Sequence, residues 1–201
     1  MTIPPTNSKP IFQTSVLADW TDEAVMLRVC EFKDTVAFGE LVWRWQSRIQ
    51  VLCLRMTGNW QDAEDAMQET FARAFSGRAQ FRGESRFSTW LWRIAIRSSS
   101  DICRRRRPAD GLETVTSVSN DPDPSIAADN LERRDAVATA LDRLSEDLRI
   151  VVTLKHFQQL KFREIADVLG IPVGTVCSRM AEAINQLEES LKSYQIKERE
   201  S

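Results

Sequence analysis

The sequence predicts an all-α protein of two small helical domains, an N-terminal helical bundle and a C-terminal helix-turn-helix, joined by a flexible acidic linker. Only 7 of its 201 residues are Gly and 7 are Pro, and apolar residues recur at helical spacing without period-two runs. Residues 108–126 break this periodicity and contain three of the prolines. We therefore divide the chain into a disordered extension (1–20), a first domain (21–107), the linker (108–129), a second domain (130–193) and a flexible tail (194–201).

The first domain contains three strongly patterned helices. Apolar residues from Phe38 to Met56 repeat every three or four positions, which predicts a long helix with one buried face. Asn59 is the predicted N-cap of the next helix, since acidic residues follow it closely at the positive end of the helix dipole. After a loop at residues 76–83, another apolar face begins at Phe87 and continues through Leu91 and Ile94.

The second domain ends in two helices separated by a tight turn. Ser145 is a predicted N-cap, and Gly170 is expected to end the helix that covers residues 162–169. A final helix then follows the turn, with Val176 and Met180 on its apolar side. Helix, short Gly-containing turn and helix form the helix-turn-helix pattern, whose second helix is the candidate reader of a DNA groove.

Cysteine and histidine content argues against catalysis and metal binding. The four Cys residues are far apart in the sequence, and His156 is the sole His, so neither a zinc motif nor a His-based triad is expected. We expect no cofactor, no metal, no small-molecule substrate and no enzymatic activity. The N-terminus lacks an apolar signal core and no apolar run could span a bilayer, which predicts a cytoplasmic protein without membrane insertion.

The formal net charge of −2 conceals strong local charges. Residues 1–75 carry −3, residues 76–107 carry +7 and residues 108–132 carry −6, while the remainder is neutral. All nine basic residues of the positive segment are Arg, and Arg93, Arg97 and Arg104 share a helical face with Trp90. Arginine beside exposed aromatic rings is typical of surfaces that bind single-stranded nucleic acid. A solvated arginine face whose neighbouring aromatic rings belong to the core is equally consistent with the pattern.

A second helix carries a cluster of carboxylates. Asp62, Asp65 and Glu69 lie at i, i+3 and i+7 and therefore share one face. Such a cluster could bind a divalent cation or transfer protons. Because no His, no second carboxylate helix and no nucleophile accompany it, a solvated or protein-binding acidic face is the favoured interpretation.

Several of these segments resemble a known family. Residues 62–71 (DAEDAMQETF) and 81–95 (FRGESRFSTWLWRIA) resemble the first conserved domain of extracytoplasmic-function (ECF) RNA polymerase sigma factors of the sigma-70 family. The segments EIA at 164–166, LGIP at 169–172 and GTVCSR at 174–179 are similar to the C-terminal helix-turn-helix of that family. The resemblance covers about residues 21–107 and 130–192, in the family's order.

The resemblance implies a sigma factor that directs promoter recognition, DNA melting and transcription initiation, with core RNA polymerase, promoter DNA and an anti-sigma factor as partners. The residues implied to bind core polymerase are Asp62, Glu64, Asp65, Gln68 and Glu69. Those implied to bind the −10 element are Phe81, Arg82, Ser85, Phe87, Ser88, Thr89, Trp90, Arg93, Arg97 and Arg104. Those implied to bind the −35 element are Arg163, Thr175, Val176, Ser178, Arg179, Glu182 and Asn185.

The final helix departs from the family pattern. Cys177 stands where the family usually has Lys, and Glu182 and Ile184 replace Arg-like residues. Residues 171–193 carry a net charge of −1, which predicts a −35 contact that is weak or altered in sequence preference. A stand-alone helix-turn-helix regulator acting without polymerase is the alternative, but it leaves the acidic helix and the Arg/Trp face unexplained. A metal-dependent hydrolase lacks the ligands it would need.

Overall fold

The computed structural model describes residues 17–106 and 136–200, with side chains through Lys192, and every regular element in these ranges is helical. The N-terminal lobe contains α1 (Asp22–Phe32), α2 (Thr35–Thr57), α3 (Trp60–Ser76), a 3₁₀ turn (Arg78–Gln80) and α4 (Phe87–Arg106). The C-terminal lobe contains α5 (136–142), α6 (Glu146–Val152) with a π-helical continuation (Thr153–Phe157), α7 (Phe162–Leu169) and α8 (Val173–Glu200). The predicted all-α, two-lobed architecture is confirmed, while the predicted linker lies outside the described residues.

Side-chain caps define where the helices of the N-terminal lobe begin. The Asp34 carboxylate accepts hydrogen bonds from the backbone N–H groups of Val36 (3.0 Å) and Ala37 (2.9 Å) at the start of α2. The Ala37 N–H and the neighbouring Arg28 guanidinium lower the pKa of Asp34. Asn59 caps α3 as predicted, since its Oδ1 accepts from the Asp62 N–H at 2.8 Å.

The turn of the helix-turn-helix depends on one glycine. Gly170 adopts φ +67°, a left-handed conformation that is strained for residues with a Cβ, and its N–H donates to the carbonyl of Ala166 at 2.8 Å. The prediction that α7 ends here is confirmed. Ser145 occupies the N-cap position of α6 as predicted, although its hydroxyl makes no capping hydrogen bond.

The predicted apolar faces form the core. Leu41, Ile49, Leu52 and Cys53 of α2 are fully buried, and Leu91 of α4 joins them. Desolvation raises the pKa of the Cys53 thiol to about 11, so this cysteine is a packed apolar group and a poor nucleophile. On α8, Val176, Met180 and Ala183 are buried, whereas Ile184 is 42% exposed although its spacing predicts burial.

The structure describes part of both terminal segments for which the sequence predicts disorder or flexibility. Arg44 donates to the carbonyl oxygens of Leu17 and Trp20 and pairs with Asp22 (2.9 Å) and Glu40 (3.0 Å). It thereby holds residues 17–20 against α2, where the sequence predicts disorder; residues 1–16 lie outside the described part. The backbone of α8 remains helical to residue 200, across most of the predicted flexible tail.

The two lobes pack directly against each other. The Arg55 guanidinium lies over the Phe157 ring at 4.5 Å from its centroid, and burial at this contact lowers the pKa of Arg55. Gln158 Nε2 donates to the Arg48 carbonyl at 3.1 Å, and Arg149 Nη1 donates to the Met56 carbonyl at 3.3 Å. In the residues that the structure describes, the lobes therefore form one packed body, although the linker composition alone predicts independent units.

None of the helices in the described ranges combines the length and the apolar character that crossing a membrane requires.

Candidate nucleic-acid interface

The acidic face of α3 is divided between internal pairs and open side chains. Asp62 Oδ2 accepts from Asn59 Nδ2 (2.6 Å) and from Arg106 Nη1 (2.8 Å). Glu69 Oε1 accepts from Arg73 Nε at 2.8 Å. Two of the predicted polymerase-binding carboxylates are thus already satisfied within the N-terminal lobe.

The remaining members of this set point outward. Glu64, Asp65 and Gln68 form no hydrogen bond or ion pair with any residue of the described ranges; Asp65 and Gln68 are exposed and Glu64 is partly exposed. They lie on the side of α3 opposite the buried Ala63 and Ala66. We call these three residues the open acidic face. Its edge borders an open groove of about 400 Å³ between α3 and α4, lined by Asp65, Gln68, Glu69, Ala72, Ile102 and Arg105.

The aromatic residues at the head of α4 form a cluster that is mainly internal. Phe81 and Phe87 are 4% and 1% exposed, with ring centroids 6.0 Å apart, and Phe87 also lies 6.0 Å from the Trp45 ring. Both rings are therefore enclosed in the N-terminal lobe, whereas the resemblance implies that they bind the −10 element. Trp90 is partly exposed and rests against both rings, at 5.4 Å from Phe81 and 6.0 Å from Phe87. Trp90 is consequently the ring of this cluster that a base can reach.

The arginine face of α4 is mostly accessible. The exposed members of the predicted −10 set are Arg82, Ser85, Arg93, Arg97 and Arg104, while Ser88 and Thr89 are partly buried. Arg104 lies 3.5 Å from Asp101 Oδ1, and Asp101 has a lowered pKa because Arg73 hydrogen-bonds to it. Arg82 and Arg97 pair with no acidic group in the part of the chain that the structure describes. A cationic surface therefore flanks the partly exposed Trp90.

One arginine of this face is engaged by the C-terminal lobe. Arg93 donates from Nε to the Val168 carbonyl at 3.2 Å and from Nη2 to the Asp167 carbonyl, both in the last turn of α7. At the head of α4, Arg86 Nη1 lies 3.1 Å from Glu164 Oε1, also on α7. The arginine face and α7 are thus direct neighbours.

The start of α8 presents a mainly polar surface. Ser178, Glu182 and Asn185 are exposed and Thr175 is partly exposed, and Arg163 of α7 is exposed as well. Val176 is fully buried and its side chain packs into the core, whereas the resemblance implies that it binds the −35 element. Arg179 Nη2 pairs with Asp147 Oδ2 at 2.5 Å, so the main cation of this surface is held by a carboxylate.

Across the residues with described side chains, no cluster of three or more His, Cys, Asp or Glu residues is placed to hold a metal ion.

Comparison with models of known protein families matches one family region to each lobe. A model described as Sigma-70 region 2 matches residues 41–109, and one described as Sigma-70, region 4 matches residues 134–187. The chain belongs to the sigma-70 family. Region 2 thus spans most of the N-terminal lobe with its acidic and arginine faces, and region 4 spans the helix-turn-helix.

Relatives of known name place this sigma-70 family member in the ECF group. It is 33% identical over 190 residues to the RNA polymerase sigma-H factor of Pseudomonas aeruginosa, a match covering 88% of this chain and 97% of the relative. It is 33% identical over 170 residues to the ECF RNA polymerase sigma factor SigW of Bacillus subtilis, covering 79% and 91%. It is 32% identical over 183 residues to the ECF RNA polymerase sigma-E factor of Escherichia coli, covering 86% and 95%.

Solved structures share the fold. CnrH, solved in complex with the cytosolic domain of CnrY, is 25% identical with a TM-score of 0.67, covering 86% of this chain and 97% of CnrH. The sigma factor RpoE of Bartonella quintana, solved with the anti-sigma factor NepR, is 24% identical with a TM-score of 0.66, covering 77% and 96%. The similarity to RpoE supports the helical fold described above.

Proposed function

We propose that this chain is a sigma factor that binds core RNA polymerase and directs promoter recognition, DNA melting and transcription initiation in the cytoplasm, without catalytic activity of its own. The observation that carries the proposal is the pairing of regions 2 and 4 in one chain, with an open acidic face and a Trp90-centred arginine face on the same lobe. Neither surface is needed by a protein that only binds duplex DNA.

Each surface suits a different task. On the open acidic face, the carboxylates of Glu64 and Asp65 pair with no residue of the described ranges, which favours docking on a basic surface of core polymerase. Trp90 beside exposed arginines suits capture of an unpaired base while the cations track the −10 backbone. The start of α8 is largely exposed, and α8 is the second helix of the helix-turn-helix. Both properties suit it to read the −35 element in the major groove.

Run-off transcription tests the proposal against the stand-alone regulator. Purified chain and core polymerase are mixed with pooled genomic fragments, and the transcripts are sequenced. We expect transcripts that require both proteins and that share a −10 and −35 pattern. Tight binding of duplex fragments without polymerase, together with no transcript that depends on this chain, would favour the alternative.

An anti-sigma factor is the proposed regulatory partner. CnrH was solved with the cytosolic domain of CnrY, and RpoE of Bartonella quintana with the anti-sigma factor NepR. A protein that copurifies with the tagged chain from its native cell and suppresses the run-off transcripts supports this partner. Copurifying proteins that all leave transcription unchanged argue against it.

We further propose that the −35 contact is weak and depends on Arg179, because residues 171–193 carry a net charge of −1 and Arg179 is held by Asp147. Arg179→Ala should remove roughly 1–3 kcal/mol of discrimination at one −35 position, since it deletes a base-reading side chain. Arg104→Ala should weaken binding to all promoter sequences by a similar factor. It should also reduce the slope of log affinity against log salt concentration by about 1. Holoenzyme affinities on −35 variants across a salt series measure both effects; an unchanged preference in Arg179→Ala would refute its role.

A further inference from the structure

We propose that α1 positions the segment that leads into the nucleic-acid face, and that Glu23 is the main positioning residue. This segment, the α3–α4 connection, covers residues 77–86 and contains Arg82 and Ser85 of the predicted −10 set. The proposal rests on the proposed function, because that function assigns these residues to the −10 element. It concerns a helix that lies outside the region 2 match, which begins at residue 41.

One face of α1 is bonded to both ends of the α3–α4 connection. Glu23, Leu27 and Cys30 lie at i, i+4 and i+7 and therefore share that face. Glu23 Oε1 accepts from the Phe87 N–H at 2.9 Å, where the connection enters α4. At the other end, the Cys30 thiol donates to the Arg78 carbonyl at 3.1 Å. Burial raises the pKa of the Cys30 thiol, so the thiol keeps the proton that this bond needs.

The middle of the α3–α4 connection turns beside the same face of α1. Gly83 adopts φ +74°, a left-handed conformation that is strained for residues with a Cβ. A Cβ at this position would lie 3.8 Å from Leu27 Cδ2, so the Leu27 side chain borders the turn. The face of α1 thus runs beside the start, the middle and the end of the connection.

Glu23 also supplies the start of α4 with an acceptor from another helix. Arg86 occupies the N-cap position, since its carbonyl accepts from the Trp90 N–H at 3.2 Å. Its guanidinium has no acceptor atom for the first N–H groups of the helix. The Glu23 carboxylate, 64 positions away from Phe87, accepts from one of these groups at the positive end of the helix dipole. The start of α4, and with it the position of Trp90, is therefore tied to α1.

α1 is itself fixed to α2 and so provides a firm support. Asp22 pairs with Arg44 at 2.9 Å and accepts from the indole N–H of Trp45 at 2.8 Å. The Trp45 ring lies 6.0 Å from the ring of Phe87. The apolar face of α1 is fully buried and consists of Val25, Met26 and Val29. Asp22 therefore restrains the Phe87 side chain through Trp45, while Glu23 restrains its backbone.

Two substitutions of Glu23 separate positioning from charge. Glu23→Gln and Glu23→Ala remove the same negative charge, but only Gln retains an oxygen that can accept from the Phe87 N–H. If charge alone mattered, both variants should bind DNA more tightly, because a carboxylate near a cationic surface opposes phosphate binding. Glu23 is only partly buried, so water can satisfy the Phe87 N–H in Glu23→Ala without fixing its position. A loss of affinity confined to Glu23→Ala therefore reports positioning.

Three measurements on the full-length chain test the proposal. We expect Glu23→Ala to bind a short, labelled single-stranded oligonucleotide of mixed sequence several-fold more weakly than Glu23→Gln does. Its amide hydrogens at residues 82–87 should also exchange faster. Both variants should bind core polymerase as the unmodified chain does, since Glu23 lies outside the open acidic face. The matched control is Glu31→Ala, at an exposed position of α1, which should leave amide exchange at residues 82–87 and polymerase affinity unchanged and should not weaken oligonucleotide binding.

The outcomes distinguish this proposal from the proposed function. Equal oligonucleotide affinity, or equal amide exchange, in Glu23→Ala and Glu23→Gln would overturn the positioning role. A parallel loss of polymerase affinity in Glu23→Ala would also overturn it, because that result indicates a general loss of folding. If the proposed function failed instead, the unmodified chain would support no run-off transcript, while the difference in amide exchange at residues 82–87 would remain.

Discussion

Phe87→Ala should lower the free energy of unfolding by about 3–5 kcal/mol, whereas Trp90→Ala should cost far less stability and should instead weaken binding of single-stranded DNA. Phe87 is 1% exposed and its ring is enclosed by Trp45, Phe81 and Trp90, so truncation leaves a cavity that this rigid aromatic cluster cannot close. Trp90 lies at the rim of the same cluster and keeps one part of its ring open. Urea denaturation followed by circular dichroism measures the stability loss.

Oligonucleotide binding separates the two aromatic roles. Trp90→Ala should lose roughly 1–3 kcal/mol of single-stranded DNA affinity, which is the usual contribution of one stacked base. Trp90→Phe, which retains an aromatic face, should recover part of that loss. The assignment would be contradicted if Phe87→Ala remained as stable as the unmodified chain, or if Trp90→Ala bound the oligonucleotide without loss.

These two residues also show what sequence spacing can and cannot establish. Periodicity correctly predicts the buried stripe of α2, because Leu41, Ile49 and Leu52 repeat regularly over many turns. Phe87 and Trp90 lie only three positions apart and so are neighbours on one side of α4. The spacing of Phe87, Leu91 and Ile94 correctly places Phe87 on the buried face of α4. How far Trp90 is covered depends on its contact with Phe81, which lies in a loop, and spacing within α4 carries no information about that contact.

The contacts between the lobes were likewise beyond sequence reasoning. Glu164 is separated from Arg86 by 78 positions, and an exposed arginine and a partly exposed glutamate give no local signal that they pair. The composition of residues 108–129 predicts a flexible connection, which allows the lobes to meet but does not specify where. The sequence predicts that the carboxylates of α3 share one face. It does not show that Asp62 and Glu69 are paired while Asp65 is open, because that depends on the positions of Arg106 and Arg73.

Reversing two charges on the open acidic face should weaken core polymerase binding by about 100-fold or more, because like charges placed across an interface cost several kcal/mol. The variant is Glu64→Lys combined with Asp65→Lys. Neither side chain forms a hydrogen bond or an ion pair with another residue of the described ranges, so the fold should persist. Reversing Asp62 would be a poorer test, since its carboxylate binds both Asn59 and Arg106 and its loss would disturb the start of α3.

A matched double reversal separates docking from total charge. Asp19→Lys with Glu31→Lys changes the net charge by the same amount at two exposed positions of the N-terminal lobe, away from α3. Titration of each labelled chain with core polymerase, followed by anisotropy, should show a large loss in the first variant and near-normal affinity in the control. An equal loss in both would mean that polymerase responds to overall charge. Unchanged affinity in the first would remove α3 from the docking surface and leave the exposed carboxylates without a partner.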